Sequence, residues 1–185
     1  WTYGYFEFRA KVPRGVGSWP AIWMMPYIKP HKLPDGIPTR PDGRPDFFNM
    51  SKEQRAILPP IPENDHWPNC GEIDVLETMS EASKTLIPQS IHCGKFNGNE
   101  GNIPNKHKDT VVSTATSAYH TYGIIWNAQE VTFTIDGKVT WSYNASKYVA
   151  TGNAWANSSI WPFNKPFYLI INCAIGGVLG GTVGT

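Results

Sequence analysis

Short runs in which β-branched and aromatic residues alternate with polar ones recur along this chain. They fall at 3–12 (YGYFEFRAKV), 72–78 (EIDVLET), 85–93 (TLIPQSIHC), 118–126 (AYHTYGIIW), 130–137 (EVTFTIDG), 138–144 (KVTWSYN) and 167–175 (FYLIINCAI). The period is that of strands, and turn-forming residues bound each run. Two of them, across 130–144, meet at Asp136-Gly137, a hairpin signal because both central positions of the tight turn need positive φ. No segment carries an apolar stripe of helical period over a useful length. Many strands without helices predict an antiparallel sandwich or barrel, and two stacked sheets are the expectation.

The rhythm breaks at 27–69. This stretch holds most of the prolines, in KPHKLPDGIPTRPDGRPD and ILPPIPENDHWPN. A connection this long inside a compact domain is functional or disordered. Because it ends directly at the run 72–78, it is expected to be a loop insertion beside whatever that run does.

Composition narrows the classes. The chain has 185 residues, enough for one domain with a real core. Its formal net charge is +1, so no nucleic-acid or membrane-surface partner is expected. No apolar run is long enough to span a bilayer, and no signal-peptide pattern precedes Trp1. Three cysteines, Cys70, Cys93 and Cys173, exclude a full disulfide framework and leave two options: one bridge with a free thiol, or three buried thiols. Neither Cys70 nor Cys93 adjoins a charged base that would make it a nucleophile, and both read as structural. Aromatic residues are 13% of the chain, with eight Trp. That load suits a sandwich core, and it equally suits a surface that stacks on sugar rings.

The candidate chemistry lies in GEIDVLE, residues 71–77. In a strand Glu72 and Asp74 share one face, with Ile73 and Val75 on the other. Simple alternation would send Glu77 to the wrong face; one extra residue, a β-bulge, brings it back. The two glutamates could then lean together over Asp74 to a carboxyl separation of ~5–5.5 Å, that of retaining glycosidases. Acids on a strand are most often the solvated face of a sheet. A solvated face mixes signs, however, and three acids in a row without Lys or Arg carry a cost that function would explain.

The stretch WTYGYFEFRAKVPRGVGSWPAIWMMP (1–26) followed by GEIDVLE resembles glycoside hydrolase family 16, as do HTYGIIWNAQEVTFTIDGK (120–138) and WPFNKPFYLIINCAIGG (161–177). The likeness covers nearly the whole chain outside the Pro-rich insert. It implies an all-β, concanavalin-like antiparallel jelly-roll sandwich with a concave carbohydrate cleft. The bulged Glu-x-Asp-x-x-Glu spacing resembles the laminarinase (endo-β-1,3-glucanase) branch rather than the unbulged Glu-x-Asp-x-Glu branch. Residue by residue, the resemblance implies Glu72 as nucleophile, Glu77 as general acid/base and Asp74 as the assisting carboxylate. For that chemistry neighbours must push the two glutamate pKa values apart. Trp23 then reads as a sugar-stacking residue, and Trp19 as either cleft or core. Arg9 reads as a donor to sugar hydroxyls, His92 as an active-site histidine near the acid/base, and Trp67 as a subsite wall at the end of the insert. Gln89 and Asn97 are further substrate-binding candidates.

No cofactor is required for this chemistry. The family often carries a structural calcium, whose ligands come from terminal segments outside this chain. The chain is expected to be one catalytic domain, 1–185, lacking terminal strands, monomeric, and acting on a polysaccharide in a secreted, periplasmic or cell-surface setting. A lectin-like jelly roll is the competing class, but it has no need of three aligned acids. Sulfated galactans such as carrageenan are a competing substrate class. They would favour cleft cations, and the insert offers Lys29, Lys32, Arg40 and Arg44 interspersed with Asp35, Asp42 and Asp46.

Overall fold

The computed structural model describes residues 1–28, 33–41, 43–60, 62–79, 84–98, 106–148 and 159–182. In chain order these form β1 (Gly4–Ala10), β2 (Ser18–Pro26), the short helix α1 (Lys52–Ala56), β3 (Glu72–Glu77), β4 (Leu86–His92), β5 (Lys106–Val111), β6 (His120–Trp126), β7 (Glu130–Ile135), β8 (Lys138–Asn144), β9 (Phe167–Ile175) and the single turn α2 (Gly177–Gly180). All strand pairs are antiparallel. They make two sheets, a four-stranded one in the order β1-β6-β7-β8 and a five-stranded one in the order β5-β4-β3-β2-β9. The all-β sandwich expected from the strand period is the fold observed. Among the described residues no helix is long and apolar enough to cross a membrane.

Each run expected from alternation became a strand; 138–144 and 167–175 kept their bounds and the others were trimmed at one or both ends. The turn at Asp136-Gly137 has φ of 50° and 71°, the left-handed geometry of a tight hairpin. Two strands lay outside the alternating runs. β2 was marked only by the family resemblance, and β5 (KHKDTV) has no apolar face at all, with the exposure of a sheet edge.

The core fills the space between the sheets. Ile73, Ile87 and Ile91 from one sheet meet Tyr122, Ile124, Phe133 and Tyr143 from the other. Trp126 and Trp161 are fully buried there, and the Trp126 indole donates to the Phe163 carbonyl at 3.0 Å. Tyr143 donates its hydroxyl to the Ile160 carbonyl at 2.7 Å, so the polar end of this buried ring is satisfied. The aromatic load is therefore divided: these tryptophans pack the core, while others line the outer face of the five-stranded sheet.

Two features place that face. Gly71 has φ +94°, and a Cβ there would come within 2.8 Å of the Pro162 ring and 3.2 Å of the Phe163 and Phe167 rings. Only glycine fits this approach just before β3. The second is the bulge. Against β2, Ile73 pairs with Met24 and Asp74 with Trp23, but Leu76 pairs with Ile22 and Glu77 with Ala21. Val75 is the extra residue. Val75 and Leu76 both point into the core, at 0% and 2% exposure, and Glu77 returns to the face of Glu72 and Asp74.

Candidate active site

The outer face of the five-stranded sheet carries a cleft of about 770 Å³. Alternation along the strands supplies its floor: Trp19, Ala21 and Trp23 from β2, Glu72, Asp74 and Glu77 from β3, Pro88, Ser90 and His92 from β4, and Asn172 and Ala174 from β9. Trp67, His107 and Asp109, with Val178 and Leu179 at α2, add to its walls.

Each acid has its own partners. The Trp67 indole donates to Glu72 at 2.7 Å, and the Trp19 indole donates to Glu77 at 2.8 Å. Asp74, buried between them, accepts from the Ser90 hydroxyl at 2.7 Å. His92 lies 3.2 Å from Asp74 and 4.0 Å from Glu72 through Nε2. Its Nδ1 is held at 2.9 Å from the Asn97 main-chain carbonyl, so that nitrogen carries a proton.

The electrostatics follow from crowding four titratable groups under little solvent. Burial, then the Asp74 charge, raises Glu72 to about 8. The same two causes raise Glu77. Burial opposes the charge on His92, but the hydrogen bond to Asp74 and the charges of Asp74 and Glu72 outweigh it and raise the imidazole to about 9. His92 is therefore a cation at neutral pH, set against the acids. Sequence reasoning expected neighbours to push the two glutamates apart; instead both move up. A hydrogen bond with Asp74 also raises Glu72, while the His92 charge and the Trp67 indole pull it down.

Among the described residues, one grouping of three could hold a metal ion: Glu72, Asp74 and His92, with ligand atoms within 4.8 Å of one another. Calcium takes about six to eight oxygen ligands. Two carboxyls and a paired imidazole do not fit the structural calcium that the resemblance implies.

The profile of glycosyl hydrolases family 16 matches residues 57–173, a span that runs from before the acid strand almost to the end of β9. This chain belongs to that family. Among family relatives, it is 29% identical over its whole length to a β-glucanase of Rhodothermus marinus, covering 51% of that protein. It is 31% identical to a keratan-sulfate endo-1,4-β-galactosidase of Sphingobacterium multivorum, over 98% of this chain and 33% of that protein. The crystal structure of the Rhodothermus marinus laminarinase superposes with a TM-score of 0.70 at 29% identity, over 98% of this chain and 57% of that one. The chain thus spans about half the length, or less, of these relatives. Its two-sheet architecture is the jelly roll of the family 16 laminarinases.

The expected site residues divide cleanly. Trp19, Trp23, Trp67 and His92 line the cleft with the three acids; Trp19, left open between cleft and core, belongs to the cleft. Trp23 donates its indole N–H to Asn172 at 2.7 Å, which fixes the ring on the cleft floor. Three expectations need correction. Arg9 sits on β1 in the opposite sheet, where it lies over the Tyr119 ring at 4.5 Å, away from the cleft. Gln89 is fully buried on the core side of β4. Asn97 is also fully buried, and its contribution is the main-chain carbonyl that holds His92.

Ser90 and Asn172 were missed, since each acts through a partner on a neighbouring strand. All three cysteines are free, with Cys70 and Cys93 buried and Cys173 exposed. Burial raises Cys70 to about 11 and raises Cys93 as well, so neither is a thiolate nucleophile. Lys29, Lys32 and Asp42 lie outside the described residues. Arg44 is held over the Tyr168 ring at 5.1 Å and is not among the cleft residues.

Proposed function

We propose that this chain carries the active site of a retaining endo-glycosidase that cleaves β-1,3-glucan or mixed-linkage β-1,3/1,4-glucan. The observation that carries the reading is the alignment of Glu72, Asp74 and Glu77 on one cleft face across the Val75 bulge. In this reading Glu77, kept protonated by burial and the Asp74 charge, gives its proton to the departing glycosidic oxygen. Glu72 attacks the anomeric carbon as that bond breaks and forms a covalent glycosyl-enzyme. Glu77 then takes a proton from water, which displaces Glu72 with overall retention. Double displacement needs the carboxyls of Glu72 and Glu77 ~5–5.5 Å apart. His92, 4.0 Å from Glu72 and 3.2 Å from Asp74, sets a positive charge beside the attacking carboxyl and favours its ionised form. Trp23 and Trp67 offer flat faces to the sugar rings. A polymeric substrate of this kind also favours a setting outside the cell membrane.

The glucan reading draws on the β-glucanase and laminarinase relatives. A sulfated β-galactan is the second reading, favoured by the keratan-sulfate galactosidase relative. Among the described residues, however, the cleft contains no Lys or Arg to meet sulfate groups.

A reducing-end assay on laminarin, lichenan, agarose, carrageenan and keratan sulfate tests the substrate class. The reading expects turnover on the first two. Glu72→Ala should abolish that turnover, and azide should restore it with a product of inverted anomeric configuration. A Glu72→Ala variant that kept most of its activity would refute the nucleophile assignment.

A further inference from the structure

Resting on the reading of Glu77 as the acid/base, we propose that Gln89 is a positioning residue that locks the Val75 bulge and so aims Glu77 into the cleft. Gln89 is fully buried and points away from the cleft. The ladder between β3 and β4 pairs Glu72 with His92, Ile73 with Ile91 and Asp74 with Ser90. The next pair in that register would be Val75 with Gln89, where the bulge begins. The ladder stops at Asp74 and Ser90, and the Gln89 side-chain amide donates to the Val75 carbonyl at 2.9 Å. A bulge leaves its extra residue outside the regular pairing, and a buried carbonyl there needs a donor.

The same amide reaches across the core. Its Nε2 also donates to the Thr134 carbonyl at 3.2 Å, and its Oε1 accepts from the Thr140 hydroxyl at 2.6 Å. Thr134 and Thr140 mark a second irregularity. Against β7, Trp141 pairs with Phe133 but Val139 pairs with Thr134, so Thr140 is the extra residue of β8. One buried amide therefore ties the bulge of the five-stranded sheet to the bulge of the four-stranded sheet. Both amide hydrogens and the amide oxygen are used, which leaves no group of Gln89 free to prefer another arrangement.

The consequence for Glu77 is geometric. If Val75 slipped back into regular pairing, Leu76 would move to the cleft face and Glu77 to the core face. Holding the Val75 carbonyl from behind resists that slip. Gln89 touches no part of the cleft, so its effect passes through the strand.

The test uses Gln89→Met, which keeps the volume and removes the amide, and Thr140→Val, which removes one hydroxyl from the far sheet. Thr140→Ser serves as the conservative partner. Steady-state kinetics on a soluble glucan are combined with a 13C-carboxyl NMR titration of Glu77. The expected result for Gln89→Met and Thr140→Val is a kcat lowered roughly tenfold to a hundredfold with KM within about twofold. The Glu77 titration should move down toward the ordinary glutamate range as the side chain leaves its buried place. Thr140→Ser should match the wild type in both readouts.

Thr140→Val, remote from β3, decides the matter if Gln89→Met does not fold. Variants that melt at lower temperature but keep kcat and the Glu77 titration would overturn the proposal, as would a fall in kcat with the titration unmoved. A wild type inactive on every polysaccharide would sink the functional reading instead, and the Glu77 titration alone would then decide the role of Gln89.

Discussion

Replacing Asp74 with asparagine removes one negative charge from beside both glutamates and keeps the side-chain shape. The Asp74 charge is the second cause, after burial, that raises Glu77. Activity that needs a protonated Glu77 falls on the alkaline side as that proton leaves. Asp74→Asn should therefore shift the alkaline limb of the kcat profile to lower pH, and a limb that stays in place would uncouple Asp74 from the acid. Glu72 gives a stability counterpart. Its folded pKa, about 8, lies above the unfolded value, so its contribution is fully present below the ordinary glutamate range and is lost as pH rises toward about 8. Glu72→Gln cannot ionise. It should melt higher than the wild type at pH 8, with roughly 2–4 °C for each kcal/mol recovered, and show little gain at pH 4. Calorimetry at the two pH values checks this. At this scale the three acids could be read from spacing alone, because period-2 geometry leaves few ways to use three carboxyls. Counting back from His92 by twos would also have sent Gln89 to the core. Arg9 could not be placed that way, since alternation gives a face but not the sheet to which the face belongs.

The bulge is the element on which the site depends, and length changes in β3 test it. Deleting Val75 leaves Glu-Ile-Asp-Leu-Glu, in which simple alternation keeps all three acids on the cleft face and Leu76 on the core side. That variant should fold and keep measurable activity. Inserting an alanine after Val75 should throw Glu77 to the core face and cost activity by at least about a hundredfold, with circular dichroism unchanged. An active insertion beside a folded but dead deletion would show that the extra residue serves some other purpose. Which residue was surplus could not be read from the sequence, because Val75 and Leu76 are both apolar and either could have been skipped. The pairing with Ile22 and Trp23 decides it. The hairpin was legible because Asp136-Gly137 encodes its own geometry. β5 was not, because a polar edge strand owes its pairing to its neighbour rather than to its own residues.

Across the whole molecule the packing thins toward one side. Ile124, at the centre of the sandwich, has no exposure, whereas Ile171 and Ile175 on β9 are 65% and 63% exposed although they flank the core-facing side of β2. The same type of substitution should thus give unequal losses: Ile124→Ala about 2–5 kcal/mol, Ile171→Ala within about 0.5. Urea midpoints of the two variants measure the difference, and equal losses would mean that the edge is packed as tightly as the centre. The emission of the molecule sums eight tryptophans, yet two of them stand apart. Trp19 shares its indole hydrogen with Glu77 and Trp67 shares its own with Glu72. Indole fluorescence responds to the charge next to the ring, so each acid comes with its own fluorophore. The difference in emission between the wild type and Trp19→Phe, followed against pH, traces the ionisation of Glu77. The corresponding difference for Trp67→Phe traces that of Glu72. Two glutamates buried in one cleft become separately visible to light, with no sugar present.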